Sequence, residues 1–282
     1  MDDASPPQSA QPRLSHHEED FAIKTWRYLR LAMVVLVAGL AVSIVTELIA
    51  RDADCFQTSI SAYYYTSVHA YFIGALVAIG VCLFCLKGNT EGEDVVLNLA
   101  GMFAPVVALV PTPDPGNCGV VRGTTKHIHD NVVNNITALL VVGLIALAIL
   151  AALSSRALPS RAARRGYAVA AAIWLAGGLV FVFAPDFFVE TAHFGAAVPM
   201  FVCIVIVVCI NAREYKDKGP ASSVRNRYLA IAVAMGVSVV VFLVLWALGW
   251  RHWVFGIEAA LIALFALFWG FQTKELWREG LR

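Results

Sequence analysis

The sequence predicts an all-α integral membrane protein, a bundle of eight transmembrane helices with both termini in the cytoplasm. Hydrophobic residues make up 59% of the 282-residue chain, only 15% of residues are charged and the mean hydropathy is +0.71. Soluble domains are about half apolar and about a quarter charged. Two further observations, the length of the apolar stretches and the placement of Lys and Arg, give the number of helices and their orientation.

Eight apolar stretches approach the roughly 20 residues with which a helix crosses the hydrocarbon. We therefore interpret residues 29–277 as one transmembrane domain. Residues 1–28 are polar and acidic and lack the pattern of a signal peptide, so they are predicted to be a disordered cytoplasmic tail, and residues 278–282 a short cytoplasmic C-terminal tail. The predicted spans are residues 29–50, 69–87, 94–111, 131–153, 167–185, 191–211, 227–249 and 254–272.

The basic residues predict the orientation. With a cytoplasmic N-terminus, 17 Lys and Arg residues fall on the cytoplasmic side, and only Arg51, Arg122, Lys126 and Arg251 fall on the other. This asymmetry follows the positive-inside rule. A net charge of +1 argues against a nucleic-acid partner, so membrane lipids are the expected partners.

The six cysteines divide according to the predicted topology. Cys82, Cys85, Cys203 and Cys209 fall inside apolar spans, where a thiol behaves as a small hydrophobic group. Cys55 and Cys118 fall in the two longest outer connections. Two cysteines facing an oxidising compartment predict a disulfide between these connections.

Ionisable and hydroxyl side chains concentrate at the outer ends of the predicted spans, whereas the inner portions are almost purely aliphatic, with Asn98, Ser238 and a few helix termini as exceptions. Such groups are costly in a membrane and are therefore candidates for function. If the second helix already runs through residues 61–69, Ser61, Tyr65 and His69 share one of its faces. The pattern predicts an outward-opening cavity above an apolar floor, lined by Glu47, Tyr65, His69, His127, His129, Asp130, Glu190, His193 and Glu258.

Imidazole and carboxylate groups in one cavity have the chemistry of a zinc site. The candidate ligands are His69, His193 and His127 or His129, with Asp130 or Glu190 as fourth ligand or general base. A zinc-bound hydroxide could hydrolyse a lipid amide or ester, with Glu47, Tyr65 and Glu258 completing the candidate catalytic set. The spacings are short and no H-E-x-x-H motif occurs.

Three functions are compatible with this pattern. The first is a metal-dependent hydrolase or transferase that acts on a lipid in the outer leaflet. The second is a non-enzymatic module that binds a lipid or small ligand or supports a partner protein, in which Glu47 and Glu258 are structural hydrogen-bond partners. The third is a transporter, which requires polar groups on a route to both sides. Each ionisable residue taken singly also fits a headgroup-facing position, and Asp130 and Glu190 also fit helix N-termini.

Several segments resemble a family of uncharacterised bacterial polytopic membrane proteins: SISAYYYT (59–66), FIGALVAIGVCLFCLKG (72–88), LAGMFAPVVALVPT (99–112), RNRYLAIAVAMG (225–236) and FGIEAALIALFALFWG (255–270). This resemblance implies a location in the bacterial cytoplasmic membrane. Histidines and an aspartate at one end of a helical bundle are also remotely similar to the superfamily of alkaline ceramidases and progestin-type receptors. That likeness implies zinc and a lipid amide, but the H-x-x-x-H pair of the family's last helix is replaced here by Glu258 and His252.

Overall fold

The computed structural model of the protein describes residues 16–51, 56–118, 125–154, 160–214 and 222–279. Within these ranges all regular structure is helical, which confirms the predicted all-α class. A 3-10 helix (Ser61–Tyr65) precedes the second α-helix. The α-helices are α1 (His16–Ala50), α2 (His69–Cys85), α3 (Glu91–Leu109), α4 (Thr125–Ser154), α5 (Arg161–Phe183), α6 (Pro185–Glu214), α7 (Ser222–Ala247) and α8 (Trp253–Glu279).

Seven of these helices are long and apolar enough to cross a membrane, so the fold is that of a multi-pass helical membrane protein. The exception is α2, an apolar helix of 17 residues. At 1.5 Å per residue it is about 26 Å long, slightly shorter than a hydrocarbon core of roughly 30 Å.

The helix ends differ from the predicted spans mainly at the N-terminus. Helix α1 begins at His16, inside the segment that the sequence predicts as a disordered tail. Residues 1–15 of that tail lie outside the described residues. At the other end of the chain, α8 continues to Glu279, so it includes the first residues of the predicted C-terminal tail.

Six helices form a closed ring. In order around the ring they are α1, α2, α3, α6, α7 and α8, and α8 packs back against α1. Helices α4 and α5 lie outside it, against α3 and α6. Almost none of the apolar surface of α4 and α5 is buried within the protein, as expected for surfaces that lipid covers.

The backbones of α2 and α3 approach each other closely where the two helices cross. A β-carbon added at Gly101 would lie 2.7 Å from the backbone oxygen of Gly80, and one added at Gly80 would lie 3.0 Å from the oxygen of Gly101. Small residues permit such a backbone-to-backbone approach, which is a common way of packing helices in membranes. The crossing holds α2 in register with α3.

The condition under which Ser61, Tyr65 and His69 would share a face, a continuous helix through residues 61–69, is not met. Thr66 has extended backbone angles between the 3-10 helix and α2. Its hydroxyl donates to the Tyr63 carbonyl at 2.9 Å and accepts from the Val68 N–H at 3.3 Å. These local bonds compete with helical ones, so Tyr65 and His69 do not share a helical face. We call the end of the bundle that carries the 3-10 helix the outer end, after the predicted orientation, and the opposite end the inner end.

Candidate functional site

A cavity of about 70 Å³, the central cavity, lies inside the ring. Its walls are apolar side chains of α1, α2, α3, α6 and α8, and Ile60 and Ser61 close its outer end. On α2 the lining residues run from Phe72 to Leu83, eleven positions or about 16 Å apart. The cavity is therefore narrow and long, and Ser61 and Glu258 are its polar lining residues.

Glu258 connects α8 to the first turn of the 3-10 helix. One carboxylate oxygen accepts from the backbone N–H groups of Ile60 (2.6 Å) and Ser61 (3.2 Å), and the other accepts from the Ser61 hydroxyl (2.7 Å). These are the free donors at the start of a helix, which a carboxylate satisfies well. Glu258 thus holds the 3-10 helix over the cavity as a roof.

Gln57 anchors the chain that leads into this roof. Its side chain is fully buried and donates to the carbonyls of Ala62 and Pro115, both at 3.2 Å, and accepts from the Asn117 N–H at 2.7 Å. The carbonyl of Gln57 in turn accepts from His252 at 3.1 Å. Gln57 therefore links three loops through hydrogen bonds: the loop before α2, the loop after α3 and the loop before α8. The role of Gln57 could not be predicted from the sequence, because a single glutamine in a loop belongs to no recognisable motif.

A second cavity, of about 190 Å³, lies on the other side of the 3-10 helix. His69 and Tyr65 line it together with Tyr64, Thr66, Ile128 and Asn131. The Nδ1 atom of His69 lies 2.7 Å from the Tyr64 carbonyl, which can only accept, so Nδ1 carries the proton. In the neutral ring Nε2 is then the unprotonated nitrogen.

Tyr65 is the other residue of the predicted site that lines this second cavity. Its hydroxyl donates to the Thr112 carbonyl at 2.6 Å. Burial raises the pKa of Tyr65 to about 12, and the neighbouring Tyr64 and Asp114 add to the shift. The hydroxyl therefore stays protonated at neutral pH and fastens the roof to the connection after α3.

His193 and Glu47 are buried, and each has a polar contact with a nearby group. The Nδ1 atom of His193 donates to the carbonyl of Val110, the C-cap residue of α3, at 2.7 Å. The Nε2 atom of His193 is buried and has no hydrogen-bond partner among the described residues. Glu47, 7% exposed, lies 2.8 Å from the guanidinium of Arg51, one turn along α1. Both residues complete helix ends within the described structure.

The remaining candidates, His127, His129, Asp130 and Glu190, are exposed to the surroundings of the bundle. His127, His129 and Asp130, which the sequence places in the predicted cavity, thus face away from the ring. Among the described residues no three His, Cys, Asp or Glu side chains are grouped so that they could hold a metal ion. The described residues therefore do not fit the zinc site expected from sequence, and the nine candidates are spread over several places.

The inner end of the ring contains a buried polar network that the sequence analysis did not predict. Glu93 on α3, 2% exposed, accepts from the Asn211 amide at 2.6 Å, and the Asn211 oxygen accepts from Gln272 at 2.7 Å. Tyr228 on α7 donates to Glu275 on α8 at 2.7 Å. These residues lie at the inner termini of the helices, where the sequence already had exceptions to the aliphatic pattern, but their association in one network was not predicted.

One sequence signal pointed to part of this network. Thr90 and Glu93 have the spacing of a capping box, and the Glu93 N–H donates to the Thr90 hydroxyl at 3.2 Å. The Glu93 carboxylate also accepts from the Asn89 N–H at 2.7 Å. Asn211 and Gln272 had no such signal, because each is a lone amide at the end of an apolar run.

The cysteines follow the predicted division where they are described. Cys82, Cys85, Cys203 and Cys209 are free thiols, and Cys118 is disulfide-bonded. Cys55 lies outside the described residues. Its pairing with Cys118 therefore stays a prediction.

Comparisons of the chain with protein-family models, with curated proteins and with solved structures found no match. The function has to be argued from the two cavities, the roof and the polar network themselves.

Proposed function

We propose that this protein binds the apolar chain of a lipid inside the ring. Ser61 and Glu258 would lie beside the end of that chain nearest the lipid headgroup. The single observation that supports this most is the central cavity, which is narrow, long and lined almost entirely by apolar side chains. This is the non-enzymatic, lipid-binding alternative of the sequence analysis.

The shape and polarity of the cavity argue for a chain over a polar ligand. An unfilled apolar space forfeits dispersion contacts along its walls, and a hydrocarbon chain restores them without needing hydrogen bonds. A sugar or nucleotide would bring many polar groups to a cavity with two polar residues. Both oxygens of Glu258 already accept hydrogen bonds from the roof, so they hold the roof over the chain.

Binding is favoured over hydrolysis by the distribution of the candidate catalytic groups. Glu258 lines the central cavity, whereas Tyr65 and His69 line the second cavity on the other face of the 3-10 helix. General acid-base catalysis requires its groups within hydrogen-bonding reach of one reacting atom. The lipid-binding role needs only the cavity and its roof.

We also propose that the protein resides in the bacterial cytoplasmic membrane, with eight crossings and both termini in the cytoplasm. The 17-to-4 distribution of Lys and Arg supports this orientation. The eighth crossing is α2, because only residues 86–90 connect it to α3 and it packs along both α1 and α3 in the ring. The lipid chain would then enter from the outer leaflet.

The test is photo-crosslinking with phosphatidylglycerol that carries a diazirine near the end of one acyl chain, followed by mapping of the labelled peptides. We expect adducts on cavity-lining positions of α2 and α8. Ala197→Phe, which fills the cavity from α6, should abolish these adducts. Adducts confined to outward-facing positions of α4, α5 and α7 would contradict the proposal.

The matched control is Ala172→Phe, the same substitution at an exposed position of α5. It should leave the cavity adducts unchanged. Because overpacking a buried site costs about 1–3 kcal/mol, the thermal midpoint of Ala197→Phe has to be measured as well. A folded variant that still gives the cavity adducts would also contradict the proposal.

A further inference from the structure

Beside the inner network lies a charged side chain, Arg30, with one buried N–H group that has no acceptor among the described residues. Arg30 on α1 points into the ring, its Cζ atom 5.7 Å from the centre of the Trp269 ring. Its Nε atom is buried and has no hydrogen-bond partner among the described residues. Glu93, Tyr228 and Glu275 lie close enough to interact with Arg30 electrostatically, but the described residues include no ion pair of Arg30 within 4.0 Å.

Two further polar atoms are unpartnered on the adjoining face of α8. Trp269 is 2% exposed and its Nε1–H has no acceptor among the described residues. Gln272 is 6% exposed; its amide nitrogen donates to Asn211, but its Oε1 atom has no donor in the same part of the chain. Residues three apart on a helix are neighbours. Together with the Nε–H of Arg30, two unpartnered donors and one unpartnered acceptor are therefore gathered at the inner end.

We propose that the inner end of the ring holds a water-binding site centred on Arg30. A water molecule can accept from the N–H groups of Arg30 and Trp269 and donate to Gln272, and a second can connect the guanidinium to Glu93. Buried waters usually make about three such bonds to polar groups that lack other partners. Water both donates and accepts hydrogen bonds, so it matches the two donors, Arg30 and Trp269, and the two acceptors, Gln272 and Glu93.

Other occupants fit the site less well. An anion would meet the carboxylates of Glu93 and Glu275 near Arg30. A metal ion would need three grouped His, Cys, Asp or Glu ligands, which the described residues do not offer. Leaving the site dry would bury a guanidinium donor, an indole donor and an amide acceptor without partners, a costly arrangement in a membrane bundle.

The site is separate from the proposed lipid site and does not depend on it. Phe265 lines the central cavity, and its ring lies 6.1 Å from that of Trp269, centre to centre. The apolar cavity and the water site are thus separated by one aromatic layer.

The test replaces Trp269 with benzothienylalanine, which keeps the shape of the indole but exchanges its N–H for sulfur, by site-specific incorporation into the full chain. If water accepts from this N–H, the thermal midpoint in detergent falls by several degrees. The matched control is the same replacement at Trp174, whose Nε1 donates to the Leu140 carbonyl at 3.1 Å. An unchanged or raised midpoint at Trp269, with the expected fall at Trp174, would show that the site is dry.

A second measurement does not depend on stability. A density map of the purified protein at a resolution that shows ordered water should contain density within about 3 Å of Arg30 Nε and of Trp269 Nε1. A direct ion pair between Arg30 and Glu93 or Glu275, with no density between the groups, would overturn the proposal. Lipid crosslinking in the central cavity has no bearing on either outcome.

Discussion

Glu258 shows how a carboxylate can lie inside a membrane bundle without a cationic partner among the described residues. It accepts three hydrogen bonds, all from the start of the 3-10 helix that roofs the central cavity. The sequence marked the residue because it stands in an apolar run, and an intramembrane carboxylate is a functional candidate by default. What it binds could not be predicted, because Ile60 and Ser61 are nearly 200 positions away in the chain.

Substitution of Glu258 tests whether its acceptor oxygens or its charge matter. Glu258→Leu leaves two backbone N–H groups and a hydroxyl unpaired, each worth about 1–3 kcal/mol when buried, so we expect a loss of stability of at least about 2 kcal/mol. Glu258→Gln keeps one acceptor oxygen for the backbone donors, and the Ser61 hydroxyl can rotate to accept from the new amide. We expect it to cost less than about 1 kcal/mol, measured by thermal unfolding in detergent.

Glu190→Gln is the control for this comparison, because Glu190 is exposed on α6. It should be indistinguishable from the unchanged protein. If Glu258→Gln were as damaging as Glu258→Leu, the negative charge itself would be needed, and the structural role given to Glu258 would be wrong.

At the scale of helices, the crossing of α2 and α3 rests on two glycines that face each other. Gly101→Ala would place a β-carbon 2.7 Å from the Gly80 carbonyl oxygen, a backbone atom that cannot move independently. The two helices must separate, and overpacking of this kind costs about 1–3 kcal/mol. We therefore expect a lower thermal midpoint for Gly101→Ala and a weakened protection of α2 from proteolysis.

Gly74→Ala on α2 and Gly236→Ala on α7 are matched controls, since an added β-carbon meets nothing within 4 Å at either position. Alanine has a better helix propensity than glycine by up to about 1 kcal/mol, so these variants should be neutral or stabilised. Equal destabilisation by all three substitutions would show that the crossing is not close-packed.

The helices were predictable and their interruptions were not. Each of the eight predicted spans lies largely in a helix, because apolar length alone determines what can cross hydrocarbon. The break at Thr66 depends instead on two local hydrogen bonds of its hydroxyl. Its consequence is that Tyr65 and His69 line the second cavity, whereas Ser61 lines the central one.

At the scale of the whole molecule, the sequence could not show which helix faces meet. The polar residues of α4 were placed in the predicted cavity, but α4 lies outside the ring and His127, His129 and Asp130 are exposed. Conversely, Glu93, Asn211 and Gln272 come from three distant segments and meet at the inner end. Hydropathy gives the depth of a residue along a span, whereas the direction in which it faces depends on the ring.

The ring also bears on the proposed topology, since its six helices alternate in direction if α2 crosses the membrane with the rest. An even number of crossings places both termini on one side of the membrane, and an odd number places them on opposite sides. We therefore expect epitope tags at both termini to be protected from protease added to intact spheroplasts and to be cleaved after permeabilisation. A third tag, inserted between Val120 and Val121 in the predicted outer connection, is the control that should be cleaved in intact spheroplasts. Cleavage of one terminal tag but not the other would mean seven crossings, with α2 packed in the ring without spanning the membrane.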